Sequence, residues 1–362
     1  MEMVRSQHAT CHSSAGPRLI EVRAATMRPM EELCSPLTSC PALTSTVAPL
    51  VNGGSDYSAR TAPSTHTAPA FVGVPCKPWG FDYVNAVAKY FWVGAMANCE
   101  KMYLNPASHA APSRSINNSP CAICGYDFEA VKTALGPHAK TSCELIIDIG
   151  ANQGWWMLPP TSRCWRVLAI EPVLANVHQL KLNAWINGFG PERLGIVHAA
   201  ASNATGWAEI FSPRDRADNA AMTRASARRI SNTMEAQSTR TLRLDEYFAA
   251  AAPALWESVR YVKIDTQGHE LPALQGLGKL LETAPFPDVQ VELDEALQAA
   301  QGHSTAKVHA FMKERCYEAW CAGPNGMVRH QDGVSGACRA GGITKDDVLF
   351  RHKGKGACAG GR

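Results

Sequence analysis

Residues 144–156 read ELIIDIGANQGWW, in which an apolar run passes directly into a loop with two glycines. A strand that ends in a glycine loop is typical of a site where a ligand approaches bare backbone. From residue 143 onward, similar apolar runs alternate with helical patterns. The sequence around this loop therefore predicts both the fold and the kind of ligand that the loop binds.

Near-continuous apolar runs predict parallel strands that are covered on both faces. After residues 144–150 they are RVLAIE (166–171), RLGIVHAAAS (193–202), VRYVKIDTQ (259–267) and DVQVELD (288–294). Two last strands are predicted from YEAWCAG (317–323) and DDVLFRH (346–352). The pattern predicts an α/β fold with a doubly wound, mostly parallel seven-stranded sheet and an antiparallel C-terminal hairpin.

Helices are predicted between these strands. One begins with Pro172 in its first turn and stops at Gly188, and others cover residues 268–282 and 307–316. Directly after the glycine loop, Pro159 and Pro160 interrupt the chain. Proline there ends a helix, so the helix after the loop is predicted to be displaced or very short.

Composition limits the class of protein. A net charge of +3 gives no reason to expect nucleic acid or an anionic membrane as partner. No apolar run is long enough to cross a bilayer, and residues 83–104, which contain Lys89, predict a partly buried amphipathic helix instead. The chain has 13 cysteines, an odd number at irregular spacing, and no signal-peptide pattern. Mostly reduced thiols are therefore expected, in an intracellular and most simply cytoplasmic protein.

Four regions are predicted along the chain. Residues 1–75 are a disordered segment rich in Ser, Thr, Pro and Ala, which also resembles a plastid or mitochondrial transit peptide, although Glu2 and the pair Glu31 and Glu32 count against that. Residues 76–140 form a helical and loop accessory region, 141–355 the α/β domain, and 356–362 a flexible tail. Cys121 and Cys124 have metal-knuckle spacing, but without a second close pair free thiols are expected and no metal is assigned.

The glycine loop does not fit a P-loop and fits the dinucleotide fingerprint only weakly. A P-loop needs a lysine and a hydroxyl that are absent here, and the dinucleotide fingerprint has Asn152 at its second glycine. A nucleoside without phosphates needs close backbone approach, an apolar slot for its base and a carboxylate for its ribose, and Glu171 fits the last of these roles. Asp148 would hold an ammonium group. A ribose and an ammonium without phosphate describe S-adenosylmethionine.

Six motifs resemble, in order, those of the FkbM-type methyltransferases. They are IIDIGANQG, LAIEPVLANVHQLKLN, HAAASNATGWAEI, TLRLDEYF, VKIDTQGHELPALQGL and VQVELD, within residues 143–352. The resemblance implies a Rossmann-like class I methyltransferase that uses S-adenosylmethionine, most often to methylate a hydroxyl of a sugar or small natural product. A small-molecule or glycan acceptor is therefore expected. A nicotinamide-dependent oxidoreductase and a non-catalytic binding module stay open as alternatives.

Three residues beyond the carboxyl ends of the strands are catalytic candidates. The resemblance assigns Asp265 to the acidic position near the methyl group; the alternative is a helix N-cap. His269 has the chemistry of a general base, but a surface histidine is an equal alternative. Glu292 either orients the acceptor or makes a structural hydrogen bond. A divalent metal would find its obvious ligands only in Asp265 and Glu292.

The remaining predictions concern the cofactor and the acceptor. Asn203 either contacts the adenine, as the resemblance implies, or forms a simple Asn turn. Asn152 either binds ligand or is present because asparagine tolerates left-handed backbone. An arginine-rich segment at residues 212–240 is expected to be a solvated loop, or a lid over the acceptor. The predicted cofactor-binding residues are Asp148, Gly150, Asn152, Gly154, Glu171, Asn203 and Asp265.

Overall fold

The structure is a computed structural model. It describes residues 92–95, 101–104, 143–154, 156–162, 165–187, 189–213, 220–230, 232–251, 253–323, 326–329 and 347–354. The predicted disordered segment (1–75), the Cys121 and Cys124 pair and the tail (356–362) lie outside these ranges. The division into four regions stays a prediction.

Eight strands within the described ranges form the main sheet. In chain order they are β3 (Leu145–Ile149), β4 (Arg166–Glu171), β5 (Leu194–His198), β9 (Val259–Ile264), β10 (Asp288–Glu292), β11 (Tyr317–Gly323), β12 (Gly326–Arg329) and β13 (Asp347–His352). Their spatial order is β12-β11-β13-β10-β9-β3-β4-β5. Strands β10, β9, β3, β4 and β5 are parallel, whereas β13, β11 and β12 each run antiparallel to their neighbour. The predicted seven strands are all present, and β12 extends the C-terminal edge by one.

Helices connect the strands. They are α1 (Leu158–Ser162), α2 (Leu174–Ile186), α3 (Arg224–Ile230), α4 (Leu244–Ala251), α5 (Pro253–Glu257), α6 (Glu270–Gly276), α7 (Gly278–Leu281), α8 (Glu295–Ala300) and α9 (Thr305–Glu314). Helix α1 has only five residues, as the proline pair predicts. The predicted helix over residues 268–282 is divided into α6 and α7 at Leu277.

Most residues of the parallel strands are apolar because each face of the sheet is covered by its own core. Ile147 of β3 and Leu168 of β4 lie in one core, whereas the alternate residues Ile146 and Val167 lie in the other. All four side chains are 0% exposed. A strand buried on both faces needs apolar residues at successive positions, which explains why these strands could be recognised from the sequence.

A second sheet contradicts the prediction of a solvated loop at residues 212–240. It consists of β6 (Ala200–Ala201), β8 (Met234–Leu242) and β7 (Gly206–Pro213), in that order, with β7 and β8 antiparallel. Helix α3 lies in the same segment. Strand β8 is exposed at several positions and buries mainly its C-terminal end, so it lacks the apolar run on which the prediction relied.

The predicted amphipathic helix over residues 83–104 is also wrong where the chain is described. Strands β1 (Trp92–Ala95) and β2 (Lys101–Leu104) form an antiparallel pair. Trp92, Val93 and Tyr103 have aromatic or β-branched side chains, which favour strands over helices. Helical spacing of apolar residues alone did not distinguish the two.

Two further findings concern membranes and cysteines. No helix within the described ranges is long and apolar enough to span a bilayer. Cys143 and Cys316 are disulfide-bonded. The expectation of reduced thiols is therefore wrong for these two residues, because cysteine number and spacing do not reveal which side chains the fold brings together.

Candidate functional site

The site lies in the crevice between β3 and β9, where the strand order reverses. The chain proceeds from β3 to β4 and β5 on one side and to β9 and β10 on the other. Such a crevice, at the carboxyl ends of parallel strands, is where doubly wound sheets bind ligands. Gly150 follows β3 and Asp265 follows β9, and both border a cleft of about 570 Å³ including its open mouth.

The cleft brings together five of the predicted site residues. Gly150, Asn152, Glu171, Asp265 and His269 line it. The other predicted residues lie elsewhere. Asp148 is buried in β3 and Gly154 is buried in the loop. Asn203 is exposed, and its amide donates to Gln275 Oε1 (3.2 Å). Glu292 ends β10, and Gln267 links it to Asp265.

Glu171 connects the glycine loop to the end of β4. Its Oε2 accepts the backbone N–H of Asn152 (2.8 Å), and its Oε1 accepts from Val173 N (3.0 Å) and Asn176 Nδ2 (3.1 Å). Burial raises the pKa of the carboxyl to about 7, and these hydrogen bonds only partly oppose that effect. A carboxylate oxygen accepts two hydrogen bonds, so Oε2 keeps capacity for one more donor.

Asn152 has a left-handed backbone, with φ of 52°. Asparagine tolerates this conformation, so the backbone alone is enough to explain an asparagine at this position. Its side chain has a second property. Oδ1 is buried, and no group among the described residues donates to it. A buried acceptor without a donor beside a cleft is suited to a ligand that carries hydroxyl or ammonium groups.

Lys263 lies between two of the predicted acids. Its Nζ is 3.3 Å from Asp265 Oδ2 and 3.9 Å from Asp148 Oδ1, and its side chain is only 9% exposed. Asp148 and Lys263 occupy opposite positions on β3 and β9. A buried ammonium needs an opposite charge nearby, so the lysine and the two carboxylates stabilise one another.

Asp265 and Glu292 form a carboxyl pair. Gln267 Nε2 donates to Asp265 Oδ1 (2.8 Å) and to Glu292 Oε2 (3.1 Å). Burial would raise the pKa of Asp265, but the charge of Lys263 and hydrogen bonds from Glu292 and Gln267 outweigh it and lower that pKa. The charge of Asp265, and then burial, raise the pKa of Glu292. Asp265 is therefore ionised near neutral pH, and Glu292 is protonated and donates to it.

The alternative role of Asp265 as a helix cap does not apply. Helix α6 has His269 at its N-cap position, without a side-chain capping bond. His269 is not a surface histidine either, because it is mostly enclosed and borders the cleft. Its Nε2 is 3.1 Å from Ser202 Oγ and its Nδ1 is 3.1 Å from Gln301 Oε1.

Glu270 organises the loop that carries these groups. Its Oε1 accepts from Thr266 N (3.0 Å), Thr266 Oγ1 (3.1 Å) and Gly268 N (3.0 Å), and its Oε2 accepts from Gln298. Burial raises the pKa of this carboxyl to about 7. One buried side chain, to which the sequence analysis assigned no role, therefore shapes the loop between β9 and α6.

Glu270→Ala is expected to destabilise the protein by about 2–4 kcal/mol, because several donors lose their buried acceptor at once. Glu270→Gln is the matched control. In this variant the side-chain oxygen at position 270 still accepts from the loop. Rotation of the Gln298 amide can present its own Oε1, which is otherwise unpaired, to the new amide group at position 270. We expect it to cost less than about 1 kcal/mol in urea unfolding. Equal losses in the two variants would contradict this role.

Sequence reasoning missed Lys263, and a signal for it exists. A lysine in the middle of VRYVKID, a strand read as buried on both faces, requires a carboxylate neighbour. Asn176 and Ser202 carry no comparable signal, because their roles depend on turns that apolar patterns do not reveal. Within the described ranges, no group of three or more His, Cys, Asp or Glu side chains is arranged to hold a metal ion.

Part of the chain matches the model of a known protein family. Residues 148–319 match the model of the methyltransferase FkbM domain. A search of curated proteins found no match. Among solved structures, the chain is similar to a methyltransferase FkbM from Methylobacillus flagellatus, with 17% identity and a TM-score of 0.34 over 58% of this chain and 43% of that one. It thus spans less than half the length of that protein.

A second similar structure is a TehB-like SAM-dependent methyltransferase from Corynebacterium glutamicum. It shows 10% identity and a TM-score of 0.33, covering 63% of this chain and 88% of that chain. A third is a putative tRNA (m1A22) methyltransferase from Streptococcus pneumoniae, with 10% identity and a TM-score of 0.32, covering 64% and 72% respectively.

Proposed function

We propose that residues 148–319, which match the model of the methyltransferase FkbM domain, transfer a methyl group from S-adenosylmethionine to a hydroxyl of a sugar or small natural product. The methyl donor is the one predicted from the glycine loop. One observation carries the proposal: the cleft at the carboxyl ends of β3, β4 and β9 joins the glycine loop, Glu171 and Asp265. A nucleoside with a cationic end needs all three of these groups within one cleft.

The chain's own groups fit this cofactor. Glu171 Oε2 would accept one ribose hydroxyl, and Asn152 Oδ1 is a buried acceptor that would receive another donor. The apolar wall beyond them, from Ile170, Ala200 and Met222, suits a purine. Asp265 supplies negative charge toward the cleft, which favours a cation there.

The bound cofactor supplies an electrophilic methyl group, and the protein supplies position and charge. Displacement at a methyl carbon needs the acceptor oxygen in line with the breaking bond, so orientation contributes much of the rate. Asp265, whose side chain is 29% exposed, is accessible to an acceptor hydroxyl and can take its proton. Glu292, protonated, holds Asp265 in place and leaves it as the ionised member of the pair.

The segment before β8 also contributes to the border of the cleft. Ala220 and Met222 border the cleft, and they flank Ala221, which bridges to Phe211 of β7. Ser226 of α3 donates to Leu297 O (3.5 Å) on the other side. Ala220 and Met222, from the segment predicted as a loop or lid, therefore form part of the border of the cleft.

Calorimetry on the full chain tests the proposal. We expect micromolar binding of S-adenosylhomocysteine and no binding of NAD. Transfer of labelled methyl from S-adenosylmethionine to a panel of sugars and small natural products would identify the acceptor. Binding of NAD in place of the homocysteine derivative would support an oxidoreductase, and cofactor binding without transfer to any acceptor class would support a binding module.

Cofactor affinity is expected to fall below about pH 7. The sign follows from Glu171, whose pKa is raised to about 7: above that value the ionised carboxylate accepts the ribose hydroxyl, and below it the proton removes that acceptor. One proton gives a limiting tenfold loss of affinity per pH unit, about 1.4 kcal/mol. Glu171→Gln should bind weakly, with no such slope. A slope that persists in this variant would assign the titration to another group.

A further inference from the structure

Gln267 occupies a backbone conformation that glutamine rarely adopts. Its φ is 54°, in the left-handed region, and it borders the cleft two residues after Asp265. Asparagine and glycine adopt this conformation more readily. Other residues stay there only when surrounding contacts enforce it, and such strained residues cluster at active sites. A glutamine at this position therefore requires an explanation beyond its backbone.

The turn around Gln267 is fixed by groups other than its side chain. Gln301 Nε2 donates to Gln267 O (3.1 Å). The N–H groups of the two flanking residues, Thr266 and Gly268, both donate to Glu270 Oε1 (3.0 Å each). None of these bonds involves the amide of Gln267. The turn itself consequently does not require a glutamine.

The side-chain amide of Gln267 joins the two acids at this edge of the sheet. Its Nε2 is 2.8 Å from Asp265 Oδ1 and 3.1 Å from Glu292 Oε2. An ionised aspartate only accepts hydrogen bonds, so the amide atom that faces it must be the nitrogen. The two hydrogens of that nitrogen supply one bond to each acid. A side chain one methylene shorter, on the same backbone, would not reach both.

Asp265 depends on such contacts for its orientation, because its side chain is 29% exposed. Lys263 Nζ lies 3.3 Å from Oδ2, and Gln267 donates to Oδ1, so each carboxylate oxygen has its own donor. Loss of one donor would leave the carboxylate freer to rotate. A base takes a proton efficiently only when it is held within hydrogen-bond reach of that proton, in the right direction.

Resting on the proposed function, we propose that Gln267 is a positioning residue for methyl transfer, whose amide bridges Asp265 and Glu292 and fixes the orientation in which Asp265 receives the acceptor's proton. Gln267 itself gives and takes no proton. The contacts with two acids compensate for the strained backbone from which the amide reaches them. Glutamine is then selected at this position for its length and its two N–H groups.

Gln267→Asn and Gln267→Gly remove the bridge and keep the turn. Both variants should fold, because both residues adopt φ of 54° more readily than glutamine. The asparagine amide is too short to contact both acids, and glycine has none. We expect kcat to fall about 10- to 100-fold in each variant, and the affinity for S-adenosylhomocysteine to change less than kcat. If the turn alone mattered, both variants would keep the wild-type kcat.

Three measurements on the full chain give these quantities. Urea unfolding checks that each variant is folded, and calorimetry with S-adenosylhomocysteine gives the affinity. Transfer of labelled methyl from S-adenosylmethionine, to the acceptor that the panel of sugars and small natural products identifies, gives kcat.

Gln290→Asn is the matched control for a shortened amide. Gln290 lies in β10 outside the cleft lining, and its Oε1 accepts from Tyr261 OH (2.6 Å). Shortening this side chain removes a buried hydrogen bond and should lower the urea midpoint of unfolding. Because it touches neither acid of the pair, kcat should stay within about threefold of wild type.

A double-mutant cycle shows whether Gln267 acts through Asp265. In the Asp265→Asn background, Gln267→Gly should lower kcat by less than a further threefold or so, because the group that it positions is already lost. A merely structural role would lower kcat by the same factor in both backgrounds.

Three results would overturn the inference while leaving the proposed function intact. They are a wild-type kcat in Gln267→Gly, equal losses of kcat in the two backgrounds, and failure of both Gln267 variants to fold, which would make the side chain part of the fold. If the wild type binds no S-adenosylhomocysteine, or transfers methyl to no acceptor, the proposed function itself fails and the inference fails with it.

Discussion

Gly150→Ala is expected to abolish measurable cofactor binding and to destabilise the protein by about 2–5 kcal/mol. Gly150 has φ of 81°, where side chains other than hydrogen are strained, and a Cβ atom there would lie only 1.8 Å from Asp265 O. The backbone cannot relax easily. Gly150 N donates to Ile170 O (2.9 Å), while Asp265 N donates to Ile149 O (3.0 Å).

The effect would reach the site because Gly150 is the point where the loop after β3 crosses the backbone after β9. Moving these two segments apart displaces Asn152 on one side and Asp265 on the other. We therefore expect the loss of affinity to exceed what the loss of stability alone would give. Urea unfolding and calorimetry with S-adenosylhomocysteine measure the two quantities separately.

Gly302→Ala is the matched control. Gly302 has φ of 79°, nearly the same as Gly150, but nothing lies within 4 Å of a Cβ built on it. It should cost about 1 kcal/mol, the backbone penalty alone, and leave cofactor affinity unchanged. If both variants are destabilised equally, the close approach of Gly150 to Asp265 is not what requires glycine there.

The sequence predicts the parallel strands because a continuous apolar run has one main physical cause, which is burial on both faces of a sheet. Residues such as Ile146 and Ile147 are adjacent and both fully buried, as expected for a strand covered on both faces. The same reasoning placed Gly150, Glu171 and Asp265 at one edge of the sheet, because parallel strands end together. The structure brings all three to the same cleft.

The parts that the sequence does not predict depend on contacts between distant residues. Strand β8 packs with one face only, and its buried Thr239 has the same chemistry as an exposed threonine. The hydrogen bonds of His269 to Ser202 and Gln301 join three segments that are far apart in the chain. From the sequence alone, a histidine at the start of a helix could be a base, an acceptor for a ligand or a surface group. Its partners in the folded protein are needed to distinguish these roles.

Asp265→Asn is expected to reduce kcat by about 10²- to 10⁴-fold, the contribution usual for a positioned proton acceptor. The variant should still fold. Lys263 keeps Asp148 within 3.9 Å, and without the charge of Asp265 the main cause of the raised pKa of Glu292 is gone, so Glu292 can ionise and replace the lost counter-charge. Affinity for S-adenosylhomocysteine, which is uncharged at sulfur, should change less than kcat. Comparable losses in kcat and in that affinity would make Asp265 structural.

Glu292→Gln separates the two members of the pair. A protonated glutamic acid donates one hydrogen bond to Asp265, and a glutamine amide of the same length can donate one as well. If Asp265 is the proton acceptor and Glu292 its neutral support, Glu292→Gln should reduce kcat by less than about tenfold. A loss as large as that of Asp265→Asn would instead identify Glu292 as the group that receives the proton. The argument depends on the asymmetry of the pair: Lys263 lies 3.3 Å from Asp265, and this proximity favours the charge on the aspartate.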